Sequence, residues 1–533
     1  MKKRKLGKYA IAATVGASLL FQQIQNVHAE TTSQYSVPPK HELRAAWIAS
    51  VTNIDWPSAT GLSEMQQKSE FIKLLDDVEK MGMNSVVVQI KPTADAFYPS
   101  DYGPWSKYLT GTQGKDPGYD PLAFMVKEAH KRNIEFHAWF NPYRITMPRT
   151  APGDATLEDL NTLAENNPAR KHPEWVIPYG KQLYFDPGNP DARQFIIDGI
   201  MEVVKKYDID AVHLDDYFYP YRIAGQEFPD QSSYEKYGKQ KFANIEDWRR
   251  DNVNQFVKVL HNSIKKEKSY VKFGISPFGV WRNIAKDPTG SNTTAGQTNY
   301  DDLFADTREW INKEYIDYIT PQIYWNIGFE AAAYDTLANW WTKEVKGKNV
   351  DLYIGQADYK INANNEAWAL PDELPKQIAL NRTIPEIKGS MHFSIKDLNR
   401  NPLGIKDRLS QDLYRTKALI PSMPWLDDQA PKKPKFENAL RTKDGIQLTL
   451  NTHPKDQDVA YYVVYRFDGL HKESIDDPRN ILNTVRKSEN GKTTYLDTTA
   501  NIDKDYTYEI TAVDRLHNES KESNQLKVKA SKK

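Results

Sequence analysis

The 533-residue sequence contains no cysteine. It therefore has no disulfide bond, no thiol nucleophile and no cysteine that could carry a lipid at the N-terminus. An excess of one charge is also missing, because 71 lysines and arginines balance 71 aspartates and glutamates. Without a net charge there is no overall field to attract nucleic acid or an anionic surface, and we expect no nucleic-acid partner.

Several signature motifs are absent as well. The 11 histidines form no H-x-x-x-H or H-E-x-x-H pair, whereas a zinc hydrolase would need clustered metal ligands. The lack of a G-x-S-x-G elbow disfavours an esterase. Neither G-x-G-x-x-G nor a P-loop is present, which disfavours nucleotide cofactors. We therefore expect no metal site and no cofactor.

Long apolar runs are missing except at the start of the chain. Five basic residues precede an apolar stretch from Tyr9 to Phe21, and the small-residue exit Asn26-Val-His-Ala-Glu30 follows it. This pattern predicts a secretory signal peptide, residues 1–29, cleaved after Ala29. The alternative is a retained membrane anchor, but the stretch is shorter than the roughly 20 residues that cross a bilayer. We expect a protein that is secreted or cell-wall associated, with no integral membrane span after cleavage.

Residues 41–420 alternate short apolar runs with amphipathic, helix-like stretches. Eight runs are continuous enough to be strands buried on both faces, and they are Leu43–Ser50, Ser85–Pro92, Phe136–Tyr143, Ala211–Tyr217, Lys272–Gly279, Tyr318–Trp325, Asp351–Tyr359 and Gly389–Asp397. Eight strand–helix pairs predict an α/β fold, the closed (β/α)8 TIM barrel. A doubly wound open sheet is the alternative, and the count of eight argues against it.

The remainder of the chain has a different composition. Residues 421–434 are rich in proline and lysine and predict a linker. Residues 435–533 contain short alternating runs between turn signals, which predict a small all-β, immunoglobulin-like sandwich. The stretches Val459–Asp468 and Tyr506–Arg515 resemble two strands of a fibronectin type III module.

Polar and aromatic side chains gather where the predicted barrel strands end. Active sites of such barrels lie at the carboxyl ends of the strands, although some of these residues must also satisfy one another when buried. Aromatic faces, at 12% of the chain, suit a sugar-binding cleft as well as a well-filled core. The candidate substrate-binding residues are Gln89, Lys91, Asn141, Tyr143, Arg144, His213, Tyr217, Trp281, Gln322, Tyr324, Trp325 and Gln356.

Five sequence blocks in this region resemble a known family. Leu43-Arg-Ala-Ala-Trp-Ile48, Trp139-Phe-Asn-Pro-Tyr-Arg144, His213-Leu-Asp-Asp-Tyr217, Gly274–Arg282 and Asp317–Trp325 are similar to the blocks of the family-10-like glycosyl hydrolases of bacterial envelopes. The resemblance implies a (β/α)8 fold and glycosidase activity on extracellular glycans. It also suggests cell-wall peptidoglycan glycan as a substrate.

Glycoside hydrolysis usually needs two carboxyl groups, or one with help from the substrate. Asp215-Asp216 is the acidic pair at a strand end, and strand alternation places one side chain inward and the other outward. We therefore expect Asp215 as the principal carboxylate and Asp216 as the reserve. Asp358 is the preferred second carboxylate, with Asp95 and Asp397 as alternatives. A separation of about 5–5.5 Å would indicate retention and about 6.5–9.5 Å inversion.

The segment around Asp215 also faintly resembles the strand-four motif of family-18 chitinases. Asp210 and Asp215 match that motif, but His213 replaces an aspartate and Tyr217 stands where the acidic glutamate should be. This departure argues against chitinase-type catalysis. It also supports the alternative function, a non-catalytic glycan-binding protein on an inactive barrel. The preferred prediction is a secreted glycosidase whose partner is a polysaccharide or cell-wall glycan.

Overall fold

The computed structural model describes residues 37–451, 459–488 and 492–531. The predicted signal peptide lies outside these ranges. Within them, eight parallel strands close into one barrel, in which each strand pairs with the next along the chain and the last pairs with the first. The strands are β1 (Leu43–Ile48), β2 (Ser85–Lys91), β3 (Glu135–Phe140), β4 (Ala211–Leu214), β5 (Lys272–Ile275), β6 (Tyr318–Ile319), β7 (Asp351–Gln356) and β8 (Ile387–His392).

This arrangement confirms the predicted (β/α)8 barrel, and the doubly wound alternative is wrong. All eight predicted runs contain a strand, but every strand ends before its run does. The apolar pattern continues past the last ladder hydrogen bond because the chain stays buried as it enters the loops above the barrel. We call the end with the strand carboxyl termini the rim and the opposite end the floor.

Helices surround the barrel, and their capping residues explain where they begin. Ser63 forms a capping box with Gln66. Asn189, just before Pro190, accepts hydrogen bonds from the backbone N–H groups of Asp191 and Ala192. The helices are Glu64–Lys80, Lys107–Thr110, Pro121–Lys131, Pro168–Lys171, Pro190–Lys206, Gln231–Ser233, Ile245–Glu267, Thr307–Asn312, Tyr334–Val345, Glu373–Arg382, Ile395–Asn399 and Ile405–Arg408. In the described ranges, no helix has the length and apolar character needed to span a membrane.

The barrel interior has its own apolar core, separate from the layer between strands and helices. Trp47, Trp139, Tyr318 and Tyr353 are among its buried side chains. Ile420 and Met423 complete this core at 3% and 0% exposure. Met423 belongs to the predicted linker 421–434, so the first residues of that segment pack against the barrel and, with Ile420, close its floor.

The C-terminal part is all-β, as predicted. One sheet contains Lys435–Thr442, Gly445–Asn451 and Lys492–Asp497, and the other contains Ile481–Arg486, Tyr461–Asp468, Tyr506–Val513 and Leu526–Val528. Side chains such as Leu448, Val464 and Ile510 fill the core between the sheets. The fibronectin type III identity of this sandwich stays a prediction.

The sandwich contacts the barrel floor through charged groups. His517 Nε2 lies 2.6 Å from Oε1 of Glu135, at the start of β3. The guanidinium of Arg515 pairs with Asp208 at 2.5 Å and with Asp210 at 3.2 Å. Within the sandwich, a 3.0 Å hydrogen bond between the hydroxyl of Tyr461 and Nδ1 of His517 holds the imidazole in place. The two parts therefore share a polar interface.

Candidate active site

A cleft of about 300 Å³ opens at the barrel rim. Its walls combine aromatic faces with acidic, amide and guanidinium groups, which is the composition of a site for polar ligands with apolar faces. The lining residues are Trp47, Ala49, Val51, Ile54, Gln89, Trp139, Arg144, Met147, Asp215, Asp216, Tyr217, Tyr221, Ser276, Gln322, Tyr324, Tyr359 and Phe393.

Asp215 lies at the bottom of this cleft, just after β4, and is only 6% exposed. Its Oδ2 accepts hydrogen bonds from the Nδ2 amide of Asn141 and from Nε1 of Trp139, the latter at 3.2 Å. The backbone N–H of Tyr217 donates to Oδ1 at 3.3 Å. Three donors from two strand ends therefore fix the orientation of the carboxyl group.

Asn141 is itself held by a third strand end. Its Oδ1 accepts a hydrogen bond of 2.5 Å from Nε2 of Gln89. The Oε1 of Gln89 in turn accepts the backbone N–H groups of Ser50 and Val51 at 3.0 and 2.9 Å. An amide oxygen accepts hydrogen bonds and an amide nitrogen donates them. The hydrogen bond from Gln89 to Oδ1 of Asn141 therefore turns the Nδ2 group of Asn141 toward Asp215. The structure thus brings together the predicted site residues Gln89, Asn141 and Asp215.

Asp216 faces the same cleft. The hydroxyl of Tyr221 donates to its Oδ2, and Nε2 of Gln322 lies 3.2 Å from its Oδ1. The expectation that one of the two aspartates would point away is wrong. Alternation holds only within a regular strand, and β4 ends at Leu214, before either aspartate.

Burial and mutual repulsion change the acidity of the pair. Burial, followed by the charge of Asp216, raises the pKa of Asp215 from its ordinary value of 3.8 to about 7, against the opposing charge of Arg144. Burial also raises the pKa of Asp216. Two close carboxyl groups of this kind favour sharing one proton near neutral pH.

Arg144 and Tyr217 form one wall of the cleft. The guanidinium of Arg144 lies 5.0 Å from the centre of the Tyr217 ring, and its Nε donates to the carbonyl oxygen of Pro92 at 2.9 Å. These contacts fix the cation beside the carboxyl pair. Tyr324, another predicted site residue, also lines the cleft and packs edge-on against Tyr359, with 5.8 Å between the ring centres.

Asp358, the preferred second carboxylate, does not line the cleft. Its two carboxylate oxygens lie 3.0 and 3.2 Å from Nδ1 of His392, and its side chain is fully buried. The alternatives Asp95 and Asp397 are also outside the lining. Asp95 accepts hydrogen bonds from Thr93 and Gln113, at 2.9 and 3.2 Å.

Six further predicted site residues do not line the cleft. The Nζ of Lys91 donates to the carbonyl oxygen of Tyr102 at 3.3 Å in a small apolar cavity, where burial lowers its pKa to about 8. Gln356 donates to the hydroxyl of Tyr334 at 2.8 Å. The others are buried or packed against neighbouring elements, namely Tyr143, His213, Trp281 and Trp325.

Ten residues of the lining were missed by sequence reasoning, namely Trp47, Ala49, Val51, Ile54, Trp139, Met147, Tyr221, Ser276, Tyr359 and Phe393. Ser276 and Trp47 stand inside sequence blocks that carry the family resemblance, so position within a block was an available signal. Tyr221 and Phe393 follow strand ends in loops, where no residue pattern indicates direction. Among the described residues, no group of three or more histidine, aspartate or glutamate side chains is placed to hold a metal ion.

Comparison with known proteins places the chain in a family. Residues 42–370 match the profile of a family described as glycosyl hydrolase-like 10. The chain is 65% identical over 486 residues to the glycosyl hydrolase YngK of Bacillus subtilis (strain 168), covering 90% of this chain and 92% of that protein. It is 41% identical over 387 residues to the glycosyl hydrolase DigH of Escherichia coli (strain K12), covering 69% of this chain and 86% of that protein.

Solved structures with similar folds are more distant in sequence. The glycoside hydrolase domain of PgaB (BpsB) from Bordetella bronchiseptica is 12% identical, with a TM-score of 0.45, and the match covers 72% of this chain and 100% of that one. The catalytic domain of a β-amylase from Paenibacillus polymyxa is 13% identical, with a TM-score of 0.44, over 71% of this chain and 99% of that one. The profile match and the two sequence relatives show that the chain belongs to the glycosyl hydrolase-like 10 family.

Proposed function

We propose that the protein is a secreted glycoside hydrolase that cleaves O-glycosidic bonds in an extracellular or cell-wall polysaccharide. The observation that carries this proposal is the pair of buried carboxyl groups, Asp215 and Asp216, at the bottom of one rim cleft. Glycosidases use two carboxyl groups with unequal acidity, one as acid and one as base or nucleophile. The names of the two sequence relatives agree with this chemistry.

Asp215 is the general acid in this proposal. A pKa of about 7 leaves much of the group protonated at neutral pH, so it has a proton to give to the leaving oxygen. When the glycosidic C–O bond breaks, that proton goes to the departing sugar hydroxyl. The donors Asn141 and Trp139 then stabilise the carboxylate that remains.

Asp216 is the ionised partner. The hydrogen bonds from Tyr221 and Gln322 stabilise its negative charge, which faces the positive charge that develops on the sugar ring. If Asp216 attacks the anomeric carbon directly, the product retains its configuration, and if it activates a water, the configuration inverts. The anomer released first, measured by NMR, distinguishes the two roles.

The aromatic wall supports a glycan as the ligand. Tyr217, Tyr324, Tyr359 and Phe393 present ring faces and hydroxyl groups to one cleft, and sugar rings bind such surfaces through their apolar faces. The envelope setting follows from the predicted signal peptide, and peptidoglycan glycan strands are the substrate class that we propose. The three-stranded and four-stranded sheets support a fibronectin type III module at the C-terminal end.

The proposal is tested by incubating the purified protein with cell-wall glycan strands and measuring the release of reducing ends. The strands are used with and without their peptide stems. We expect new reducing ends from the parent protein and at most a trace from an Asp215→Asn variant. Co-sedimentation with the glycan, without reducing ends from any strand tested, would instead identify a glycan-binding protein on an inactive barrel.

A further inference from the structure

A column of buried polar side chains crosses the barrel interior from the floor to the cleft. At the floor, Oε2 of Glu135 lies 3.0 Å from Nε2 of His137, whose Nδ1 lies 2.9 Å from the hydroxyl of Tyr318. The same hydroxyl lies 3.0 Å from Nδ1 of His213, and Nε2 of His213 lies 2.9 Å from Oγ of Ser276 in the cleft lining. None of the five residues is more than 5% exposed.

Glu135 fixes the direction of the first hydrogen bond. Burial opposes its ionisation, yet the charges of Lys272 and His517 hold its pKa well below the usual range. An ionised carboxylate only accepts hydrogen bonds, so His137 donates its Nε2–H to Glu135. Because Lys272 already lies 2.5 Å from Glu135, a second proton on His137 would add another positive charge to this buried group. With the ring proton on Nε2, Nδ1 of His137 is the acceptor toward Tyr318.

The donor and acceptor roles at the remaining hydrogen bonds of the column are then fixed as well. The Tyr318 hydroxyl has one proton, which it donates to His137 Nδ1, so it accepts the Nδ1–H of His213. Burial holds the pKa of His213 well below its usual range, so this ring is neutral, and with its proton on Nδ1 its Nε2 accepts. Ser276 therefore donates to His213, since its other possible acceptor, the carbonyl oxygen of Leu214, is 3.4 Å away.

We propose that Ser276 is a substrate-binding residue whose Oγ accepts a hydrogen bond from a sugar hydroxyl. Because the hydroxyl proton of Ser276 is donated to His213, its Oγ can only accept a hydrogen bond from a group in the cleft. Tyr318 and His213 are positioning residues, because they act on the sugar only by fixing where the Ser276 proton points. This inference rests on the proposed function, since it requires a glycan in the cleft.

Loss of the Tyr318 hydroxyl would release this constraint. Nothing would then hold the proton on Nδ1 of His213, and the ring could donate from Nε2 to Ser276 instead. The serine proton would turn toward the cleft, where it meets the proton of the sugar hydroxyl. An effect of Tyr318 on glycan binding should thus exist only while Ser276 is present.

A double-mutant cycle tests this dependence. The dissociation constant for peptide-free cell-wall glycan strands is measured in an Asp215→Asn background, so that the strand is not consumed. We expect Ser276→Ala and Tyr318→Phe each to weaken binding, by roughly fivefold to tenfold. Tyr318→Phe should have no further effect once Ser276→Ala is present.

Tyr353→Phe is the matched control. Tyr353 is 1% exposed, its ring centre lies 5.4 Å from that of Tyr318, and its hydroxyl donates to Asp351 at 3.2 Å, outside the column. This variant loses a buried hydroxyl at the same depth, so it reproduces a general effect on barrel stability. We expect it to leave strand binding unchanged.

Long-range proton–nitrogen NMR of the unaltered chain provides a second measurement that does not depend on folding of a variant. We expect the proton on Nε2 of His137 and on Nδ1 of His213. A doubly protonated His137 would overturn the inference, because the column would then run the other way. Equal weakening by Tyr318→Phe with and without Ser276 would also overturn it.

The two proposals fail separately. Strand binding without turnover by the parent protein contradicts the proposed reaction, while the binding cycle can still be completed. Absence of strand binding contradicts the role of Ser276, even if the parent protein releases reducing ends from another glycan.

Discussion

His517 of the C-terminal sandwich and Glu135 of the barrel form a buried pair, with 2.6 Å between Nε2 and Oε1. Their side chains are 6% and 5% exposed. The pair links the two parts of the chain at the point where the axial column of the barrel begins. The sandwich therefore contributes to the charge balance of the barrel floor, where Lys272 also contacts Glu135.

We predict that His517→Ala destabilises the barrel. Removing one partner leaves the other buried and less well paired, at a cost of about 2 kcal/mol in the free energy of unfolding. Thermal unfolding followed by circular dichroism measures the loss. His471→Ala is the control, because that side chain is 70% exposed.

A chain ending at Pro431 should also unfold at a lower temperature, and a truncated barrel as stable as the full chain would contradict this.

Asp215→Asn should lower both kcat and kcat/KM by about 10²–10⁴-fold, the range of a general acid. Asp216→Asn should also be severely impaired, because both carboxyl groups face the cleft. Initial rates of reducing-end release measure both variants, with Asp397→Asn as a control outside the lining. A fully active Asp215→Asn enzyme would assign the acid to another residue.

Asp215→Asn should also stabilise the fold at alkaline pH. The folded-state pKa of Asp215 is raised from 3.8 to about 7, so the folded protein binds this proton more tightly than the unfolded chain does. Stability therefore falls as the pH rises from 3.8 to about 7, and the penalty is complete above that window. The Tm of Asp215→Asn should exceed that of the parent at about pH 8, and the difference should shrink at about pH 4.

Activity should decline above about pH 7, because the acid must be protonated. Arg144 lowers the pKa of Asp215 by its charge. Arg144→Gln should therefore move the alkaline limb of the kcat/KM profile to higher pH, whereas Arg144→Lys should move it less. The position of the limb is the relevant measurement, since both variants also alter the cleft wall. An alkaline limb that keeps its position in Arg144→Gln would show that the limb does not report the titration of Asp215.

Tyr359→Ala should raise KM more than Trp325→Ala does. Tyr359 is 46% exposed and lines the cleft, whereas Trp325 packs edge-on against Phe278 at 5.6 Å. Loss of an aromatic face that contacts sugar costs roughly 1 kcal/mol, or about fivefold in KM. Steady-state kinetics on one glycan compares the two variants. The reverse order would place the sugar on the Trp325 side.

The sequence was sufficient to predict the barrel because its strands are short, continuous apolar runs. It also predicted that Gln89, Asn141 and Asp215 would lie at one rim, since each lies at or just after the carboxyl end of a barrel strand. It failed at Asp216, where the alternation rule was applied beyond the end of β4. The direction of a side chain in a loop depends on partners such as Tyr221, which no periodicity indicates.

Other differences arise from contacts between distant parts of the chain. Asp358 was expected in the cleft, but His392 of the neighbouring strand pairs with both of its carboxylate oxygens. Proline and lysine content predicted a linker after Ile420, although Met423 is fully buried in the barrel interior. Composition describes a segment as a whole, whereas one or two apolar side chains decide whether it packs.

The closure of the floor by Ile420 and Met423 imposes an order on folding. Leu419 forms backbone hydrogen bonds of 2.8 and 2.9 Å to the segment that enters β1, so the beginning and end of the barrel region meet only after all eight strands have been made. Until Met423 is packed in place, the interior between the strands is open at the floor. A chain that ends before this residue leaves apolar surface exposed, which favours aggregation over folding.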